Sequence, residues 1–528
     1  MYRTAALRKA TYNVAVVGGG LTGCLVAGRL AMENVTTVVL EEGDDIRKKP
    51  RWYRNTPCSL LIHRFARRNY ESCENVTTPQ KTHRAEDTPV PVTIPTPRVL
   101  GGGGIMGGRS WNLGDQKDWD GAGWSFREEL LPRVQRLENL EDSPPHRGRH
   151  GKFFISRSKA LSPFFKSFCE AMSKDTALTP GFNRKEYHVR PGCGRAETFV
   201  DQRSGVAHTT LQSYLMDAIT LKRPLEVVCN ARVIGINAKD NDKTTTTGVS
   251  YVLPNGETRC VDADTVILCA GGIGTPRLLA SSQGTLSIDP AVGTNFWDTP
   301  QVNMQFRTRI PLSHNCFMEP LVQMCVGLNL MYGKPLPALC SAYDDMICYW
   351  SSTGDQTPDV KFIFQPFTMN NDGSTPSDGA HGVQIIAQLL RPKSRGCIRA
   401  DGTIDPQYLT HPDDEKALHR AVAHINKLAT ALPLSNIFTG VIGERFESAS
   451  IYGGASFPVL NPATFRVKNT SNVYVCDESV LRSPLLGDSL PYMLALGGKF
   501  ADEFLRKPDV HSKREAANKE MNKARIIY

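Results

Sequence analysis

The stretch YNVAVVGGGLTGCLVAGRLAMENVTTVVLEEGDD, beginning at Tyr12, restricts the fold more than any other part of the chain. Val14 to Val17 form a short apolar strand, and Gly18, Gly20 and Gly23 follow at once in G-x-G-x-x-G spacing. The first glycine permits a tight turn, the second lets the backbone approach a pyrophosphate, and the third allows a helix to pack closely on a strand. Small and apolar residues from Leu21 to Met32 predict the helix whose amino end faces the phosphates, where unpaired N–H groups and the helix dipole favour an anion. A second strand, Thr37 to Leu40, ends in Glu41, placed to accept hydrogen bonds from a ribose hydroxyl. Strand, glycines, helix, strand and terminal acid in this order predict a dinucleotide-binding unit. An acid at that strand end disfavours a 2′-phosphate, so NADP is not expected, while FAD and NAD both remain open.

The rest of the chain has to accommodate that unit. At 528 residues it exceeds one typical domain. With 40% hydrophobic and 22% charged residues it has the composition of an ordinary globular protein. No apolar run is long enough to cross a bilayer, so no transmembrane helix is expected. The 14 cysteines show no C-x-x-C pair and no zinc-like spacing, which predicts reduced thiols in an intracellular compartment. Arg3, Arg8 and Lys9 precede the first acid, Glu33, in the manner of a mitochondrial leader; without that signal the expectation is cytoplasmic. The net charge of +9 is accounted for by a solvated basic surface, which could also meet an acidic partner, but no basic helix interleaved with aromatics marks a nucleic-acid site. His419 and His424 share the helical stretch Glu415 to Leu432, yet five residues place them roughly 140° apart around a helix. No metal site is expected from them.

A second glycine cluster follows a Pro-, Thr- and charge-rich segment, residues 57 to 97, read as an excursion. In PRVLGGGGIMGGRSWNLGD, six glycines fall within Gly101 to Gly108, too many for a stable ordinary helix but suited to backbone pressed flat against a ligand. Here the chain resembles the glucose–methanol–choline (GMC) oxidoreductase family. Arg98, Val99, Leu100, Gly101 and Gly102 match its glycine loop, and Asp118 to Ser125 match the acid–aromatic patch that follows. The resemblance continues through His208 to Ala218, the LEVVCNARVIGI strand with Val233, and the second signature with Ala270, Gly271, Thr275, Pro276 and Leu279. It extends over Val292, Gly293, Asn295 and Asp298, then Pro392 to Gly396, and closes with Val467, Asn472, Val475, Asp477 and Ser479.

The resemblance implies an α/β fold in which a Rossmann-like FAD-binding domain joins a discontinuous substrate domain built on a mostly antiparallel sheet. The runs QVNMQFRTRI, VKFIFQPFTM and GVQIIAQLL, alternating in apolar residues, independently read as strands of such a sheet. Residues 12–56, 93–125, 196–300 and 455–506 are expected in the FAD domain, 126–195 and 301–454 in the substrate domain, 57–92 in an excursion loop and 507–528 in a basic tail. Gly18, Gly20, Gly23, Glu41, Arg98, Gly101, Gly102, Gly103, Gly104, Val233, Ala270, Gly271, Asp477 and Ser479 are then the expected cofactor contacts. The glycine loop offers no histidine for covalent attachment, so the FAD is expected to be non-covalent.

The family also implies a histidine that takes the proton from an alcohol while hydride leaves its carbon, and a base titrating near neutrality suits that task. The histidine belongs just before the segment here written Gly454–Ala455, which puts Ile451 in its place. No histidine stands between His424 and His511, so a small shift of alignment restores none. The second polar position falls on Leu490 if Pro491 is matched, or near Asp488 or Ser489 if Ala501 and Asp502 are. The asparagine of the glycine loop is replaced by Gly107 or displaced to Asn112. Tyr452 and Asp488 are possible substitutes for the missing base. Two readings follow: an FAD oxidoreductase acting on an unknown small-molecule CH–OH or related donor, and a catalytically inactive flavoprotein serving as a binding or assembly component. An NAD-dependent dehydrogenase rests on the first unit alone and is opposed by the later motifs.

Overall fold

The computed structural model describes residues 11–49, 72–84, 86–106, 110–140, 144–157, 164–173, 189–201, 206–311, 313–331, 346–368, 381–508 and 510–512. The candidate leader, Gly107 and most of the basic tail lie outside the described residues.

Two sheets organise the chain. In the first, the strand Thr11–Val17 lies between Thr37–Leu40 and Thr258–Leu268, parallel to both. Leu225–Val228 extends it in parallel beyond Thr37–Leu40. Arg232–Lys239 and Asp242–Val252 form an antiparallel extension beside Thr258–Leu268, and Val473–Val475 returns to pair with the end of that strand. The near-continuous valines and isoleucines of the parallel strands are what a sheet buried on both faces requires, and Val14 to Val17, Val38 to Leu40 and Val266 to Leu268 are all buried. The first helix, Leu21–Met32, has the predicted limits. The closing helix, Ser489–Leu505, lies along it, with Gly497 facing Leu25 and Thr22. Arg29 of the first helix and Arg133 of the helix Leu131–Leu137 both pair with Asp502 of the closing helix, at 2.8 and 3.0 Å.

The second sheet is larger and almost wholly antiparallel. Its centre runs from Gly192–Arg195 through Met346–Trp350, Val360–Gln365 and Gly382–Leu389 to Thr294–Thr308, against which the long strand Phe438–Gly453 also pairs. Alternation along these strands sorts the side chains into two faces. Cys348, Phe362, Phe364, Ile385, Ala387, Val302, Met304 and Phe306 make one face, packed in a buried cluster with Phe168, Leu418, Ala421 and Ile425. Leu418, Ala421 and Ile425 come from the helix Pro412–Thr430, where His424 is buried and stacks on Trp350 at 4.8 Å, while His419 hydrogen-bonds the His83 carbonyl. The opposite face mixes polar side chains with Ile347, Ile363 and Ile386, which pack in a smaller buried cluster with Leu486.

The expected excursion, 57–92, is described only from residue 72. There it is no loop: Ser72–Gln80 and Val90–Pro97 form a hairpin joined to the large sheet through Thr77 and Ile404. The prolines at 79, 91, 95 and 97 had argued for irregular chain, but an edge hairpin tolerates proline because outward N–H groups need no ladder partner. Arg277 from the first domain binds the Asn75 side chain at 2.8 Å and steadies this edge. The strand Thr294–Thr308 likewise runs unbroken across the boundary expected after residue 300, so one strand carries the chain from one unit to the other. No described helix is long and apolar enough to cross a membrane.

Because Phe362 is fully buried in the apolar face, Phe362→Ala should lower stability by about 3–5 kcal/mol. Urea unfolding followed by intrinsic fluorescence measures this, and a loss under 1 kcal/mol would contradict the packing described.

Candidate functional site

The two glycine loops meet backbone to backbone. Gly18 has φ +97°, and a β-carbon there would lie 2.4 Å from the Cys269 carbonyl oxygen. A β-carbon on Gly23 would lie 2.0 Å from the Gly18 carbonyl oxygen, so these two positions admit only glycine. From the second loop, the Gly101 N–H donates to the Gly19 carbonyl at 2.7 Å, and a β-carbon on Gly102 would come within 2.9 Å of the Gly20 Cα. Gly104 closes against Leu21.

The other side of the same surface is open. A β-carbon on Gly20 would meet nothing nearer than 4.0 Å, and on Gly103 or Gly271 nothing within 4 Å. The helix opening at Gly20 has no side-chain cap and no acid in its first turn, so its amino end presents bare N–H groups to that space. This bare strip of backbone at a helix amino terminus is what a pyrophosphate needs. The residues present therefore fit a dinucleotide.

Glu41 is buried at the end of its strand, with its carboxylate accepting from the Gly19 N–H at 2.7 Å and the Gly43 N–H at 2.8 Å. Burial pushes its carboxyl upward, and those two N–H groups pull it back. Its main chain continues the arrangement, since the Ala231 N–H donates to the Glu41 carbonyl at 2.8 Å, two residues before half-buried Val233. Arg98 turns to Glu42 at 2.8 Å.

Asp477 is enclosed. It accepts from the Gly271 N–H at 3.0 Å, the Thr275 hydroxyl at 2.5 Å, and the Ser479 N–H and hydroxyl at 3.0 and 2.6 Å. Asp477 and Ser479 thus fasten the turn after Val475 to the helix that begins at Gly271. Burial raises the Asp477 carboxyl, and these four donors oppose the rise.

Ile451 lies in a bulge. Opposite Pro300 the strand Phe438–Gly453 slips register between Ser448 and Tyr452, with Ser450 at φ +56°. Asp298 builds this bulge. Its carboxylate accepts from the Ser448 hydroxyl at 2.6 Å, from the Tyr408 hydroxyl and from the Thr299 N–H, while the Thr299 hydroxyl donates to the Ile451 carbonyl at 3.0 Å. Tyr452 points the other way, against Gly272 and Phe296. Leu490 is buried in the core of the first domain.

Asp488 has a different setting. It stands at the cap of the closing helix, its N–H donating to the Asn112 carbonyl at 3.0 Å. The Asn112 side chain donates to the Tyr349 hydroxyl of the large sheet and accepts from the Gly114 N–H at 2.9 Å. Lys361, on the strand Val360–Gln365 and only 3% exposed, brings its ammonium to 3.5 Å from Asp488. The glycine-loop exit, the closing helix and the polar sheet face therefore converge on one spot. Sequence reasoning missed Lys361, although Lys361 and Gln365, on one face of an otherwise apolar strand, were a usable signal. It equally missed Ser448, whose link to Asp298 crosses 150 positions of chain.

The amino-terminal GMC oxidoreductase family model matches residues 12–301, and the carboxyl-terminal one matches residues 392–497. The oxygen-dependent choline dehydrogenase of Staphylococcus epidermidis is 24% identical over 94% of this chain and 93% of its own. That of Staphylococcus xylosus is 25% identical over 94% and 95%. Among solved structures, an Aspergillus oryzae formate oxidase superposes with a TM-score of 0.79 at 17% identity, covering 96% of this chain and all of its own. Pyridoxine 4-oxidase from Mesorbium loti gives 0.76 at 20% identity, over 94% and 99%. At these identities the structural likeness shows the fold.

Burial raises the Asp298 carboxyl to about 7 against the pull of its three donors. A folded-state value above the unfolded one of about 3.9 makes the contribution of Asp298 to stability full below pH 4 and lost as pH rises through about 7. Wild-type protein should therefore lose, on the order of a few kcal/mol, stability relative to Asp298→Asn between pH 4 and pH 8. Thermal unfolding of both proteins across that range tests this; parallel curves would mean that Asp298 ionises normally.

Proposed function

Because the chain belongs to the GMC oxidoreductase family, we propose that it is an FAD-dependent oxidoreductase that removes hydride from a CH–OH or related donor without the family's histidine base. The open backbone strip at Gly20 and Gly103 carries this reading, because nothing else in the fold accounts for two glycine loops packed together and bare on one side. Bound flavin supplies the two-electron acceptor. Gly18 to Gly23 and Gly101 to Gly104 would hold its pyrophosphate, Glu41 its ribose, and the residues near Val233 its adenine. The surroundings of Ala270, Gly271, Asp477 and Ser479 would complete the site, with the FAD held non-covalently.

The chain's own task is to orient the donor and take its hydroxyl proton. Isoleucine at 451 can do neither, and Tyr452 is turned away against Gly272. Asp488 is a carboxylate at the junction of the two units, beside Lys361. The second reading, a flavoprotein without turnover, draws on the same Ile451. The two part on one measurement, the bleaching of the oxidised-flavin absorbance when an oxidisable donor is added anaerobically. Choline, named for the relatives, and simple neutral alcohols form the first panel. Bleaching supports the oxidoreductase, whereas a flavin reducible by dithionite but by no donor supports the second reading.

Gly20→Val tests the cofactor cradle. Gly20 has φ −76° and open space beside it, so the variant should fold normally while its side chain fills the phosphate position. Flavin content per mole, read from absorbance after gel filtration, should fall at least about tenfold with the unfolding midpoint unchanged. Full retention of flavin would overturn the assignment of the cradle.

A further inference from the structure

The polar face of the large sheet carries more chemistry than packing requires. Register places Tyr349, Lys361, Gln388, Gln301 and Glu447 side by side across five strands. Two residues along, the next row on the same face runs from buried Ile347, Ile363 and Ile386 to Asn303 and Arg445. Lys361, Gln388 and Asn303 are 3%, 4% and 1% exposed. Buried polar groups in native proteins are nearly always hydrogen-bonded, so exceptions need a reason. Here the Asn303 carboxamide donates to Gln384 at 2.8 Å, yet its oxygen accepts from no described residue. Gln388, next to Lys361 in the row, makes no side-chain hydrogen bond among the described residues.

The charges on this face are matched, unlike the amides. Lys361 faces Asp488 at 3.5 Å, Arg445 faces Glu447 at 3.9 Å, and beside them Arg391 pairs with Asp118 at 2.9 Å. A wall whose charges are already paired attracts an ion only weakly, and disrupting a buried pair is costly. Its unmatched groups are neutral carboxamides, which pair with hydroxyls. The Lys361–Asp488 contact, at 3.5 Å, is also longer than the 2.7–2.9 Å or so of a tight charge-assisted hydrogen bond.

We propose that Lys361 and Asp488 together activate the donor's hydroxyl in place of the absent histidine, while Gln388 and Asn303 hold a second hydroxyl of the same, uncharged donor. The inference rests on the oxidoreductase reading above. The donor's O–H bond breaks, with the proton passing to the Asp488 carboxylate. The C–H bond on the same carbon breaks, with the hydrogen and its electron pair leaving to the FAD, and the carbon–oxygen double bond forms. As negative charge grows on the oxygen, the Lys361 ammonium donates to it, the kind of fixed stabilisation that matters most away from water.

Acetate, a small stand-in for the alkoxide oxygen, provides the test without turnover. Titrated into flavin-loaded protein, it should perturb the visible flavin spectrum with saturation. Lys361→Met should weaken that binding at least about tenfold, and Asp488→Asn, which removes a competing anion, should tighten it by a similar factor. Flavin content of each variant reports folding, and failure of wild-type protein to hold flavin would sink the oxidoreductase reading itself. With flavin held, absence of an acetate effect, or equal affinity in wild type and both variants, would overturn the role given to the pair. Competition settles the donor class. Erythritol should displace acetate in wild type and less well in Gln388→Leu, and displacement by choline but not erythritol, or by neither, would overturn it.

Discussion

The contact between the two glycine loops is the constraint on which the rest depends. Only where side chains are absent can the Gly101 N–H reach the Gly19 carbonyl and Gly102 lie against Gly20. That contact fixes the second loop over the amino end of the first helix, and so fixes where its continuation, Asn112 to Gly114, leaves the cradle. There Gly114 sits so close to the Tyr492 hydroxyl that any side chain would collide with it. The Tyr492 hydroxyl also accepts from the Gly487 N–H at 2.8 Å. The position of Asp488 thus follows from a chain of close backbone approaches that begins at the phosphate turn.

Polar groups buried at the junction are the second organising element. One face of the large sheet resolves its packing by alternation of large apolar residues, as any half-buried sheet does. The other face keeps a buried lysine, several carboxamides and paired charges. Such a surface destabilises a fold unless each group finds a partner, and a surface of this kind is more consistent with recognition than with stability. Asp298 belongs to the same economy of buried polarity, since its hydrogen bonds hold the bulge that presents Ile451.

Much of this was legible in the sequence. The first unit was, down to the limits of the helix Leu21–Met32, because glycine spacing, apolar strands and a terminal acid are local signals. The strands of the large sheet were visible as alternation in residues 301–310, 360–369 and 382–390. The hairpin Ser72–Gln80 and Val90–Pro97 was not, because its prolines and threonines describe a loop until an edge accepts them. Resemblance located Ile451 and left the second polar position between Leu490 and Asp488. The fold separates them, since Leu490 turns into the core and Asp488 faces Lys361.

The sequence by itself determined a dinucleotide-binding unit, because its residues must sit at fixed spacing along one turn, strand or helix, while FAD and the two-unit architecture followed from the resemblance to the GMC family. It also determined that no histidine stands at 451. The tertiary structure alone decided which residues share a site. Lys361 and Asp488 are 127 positions apart, Tyr349 and Asn112 are 237 apart, and Asp298 and Ser448 are 150 apart. Such pairs leave no periodic trace, because what joins them is the register of strands and the crossing of the chain between two units.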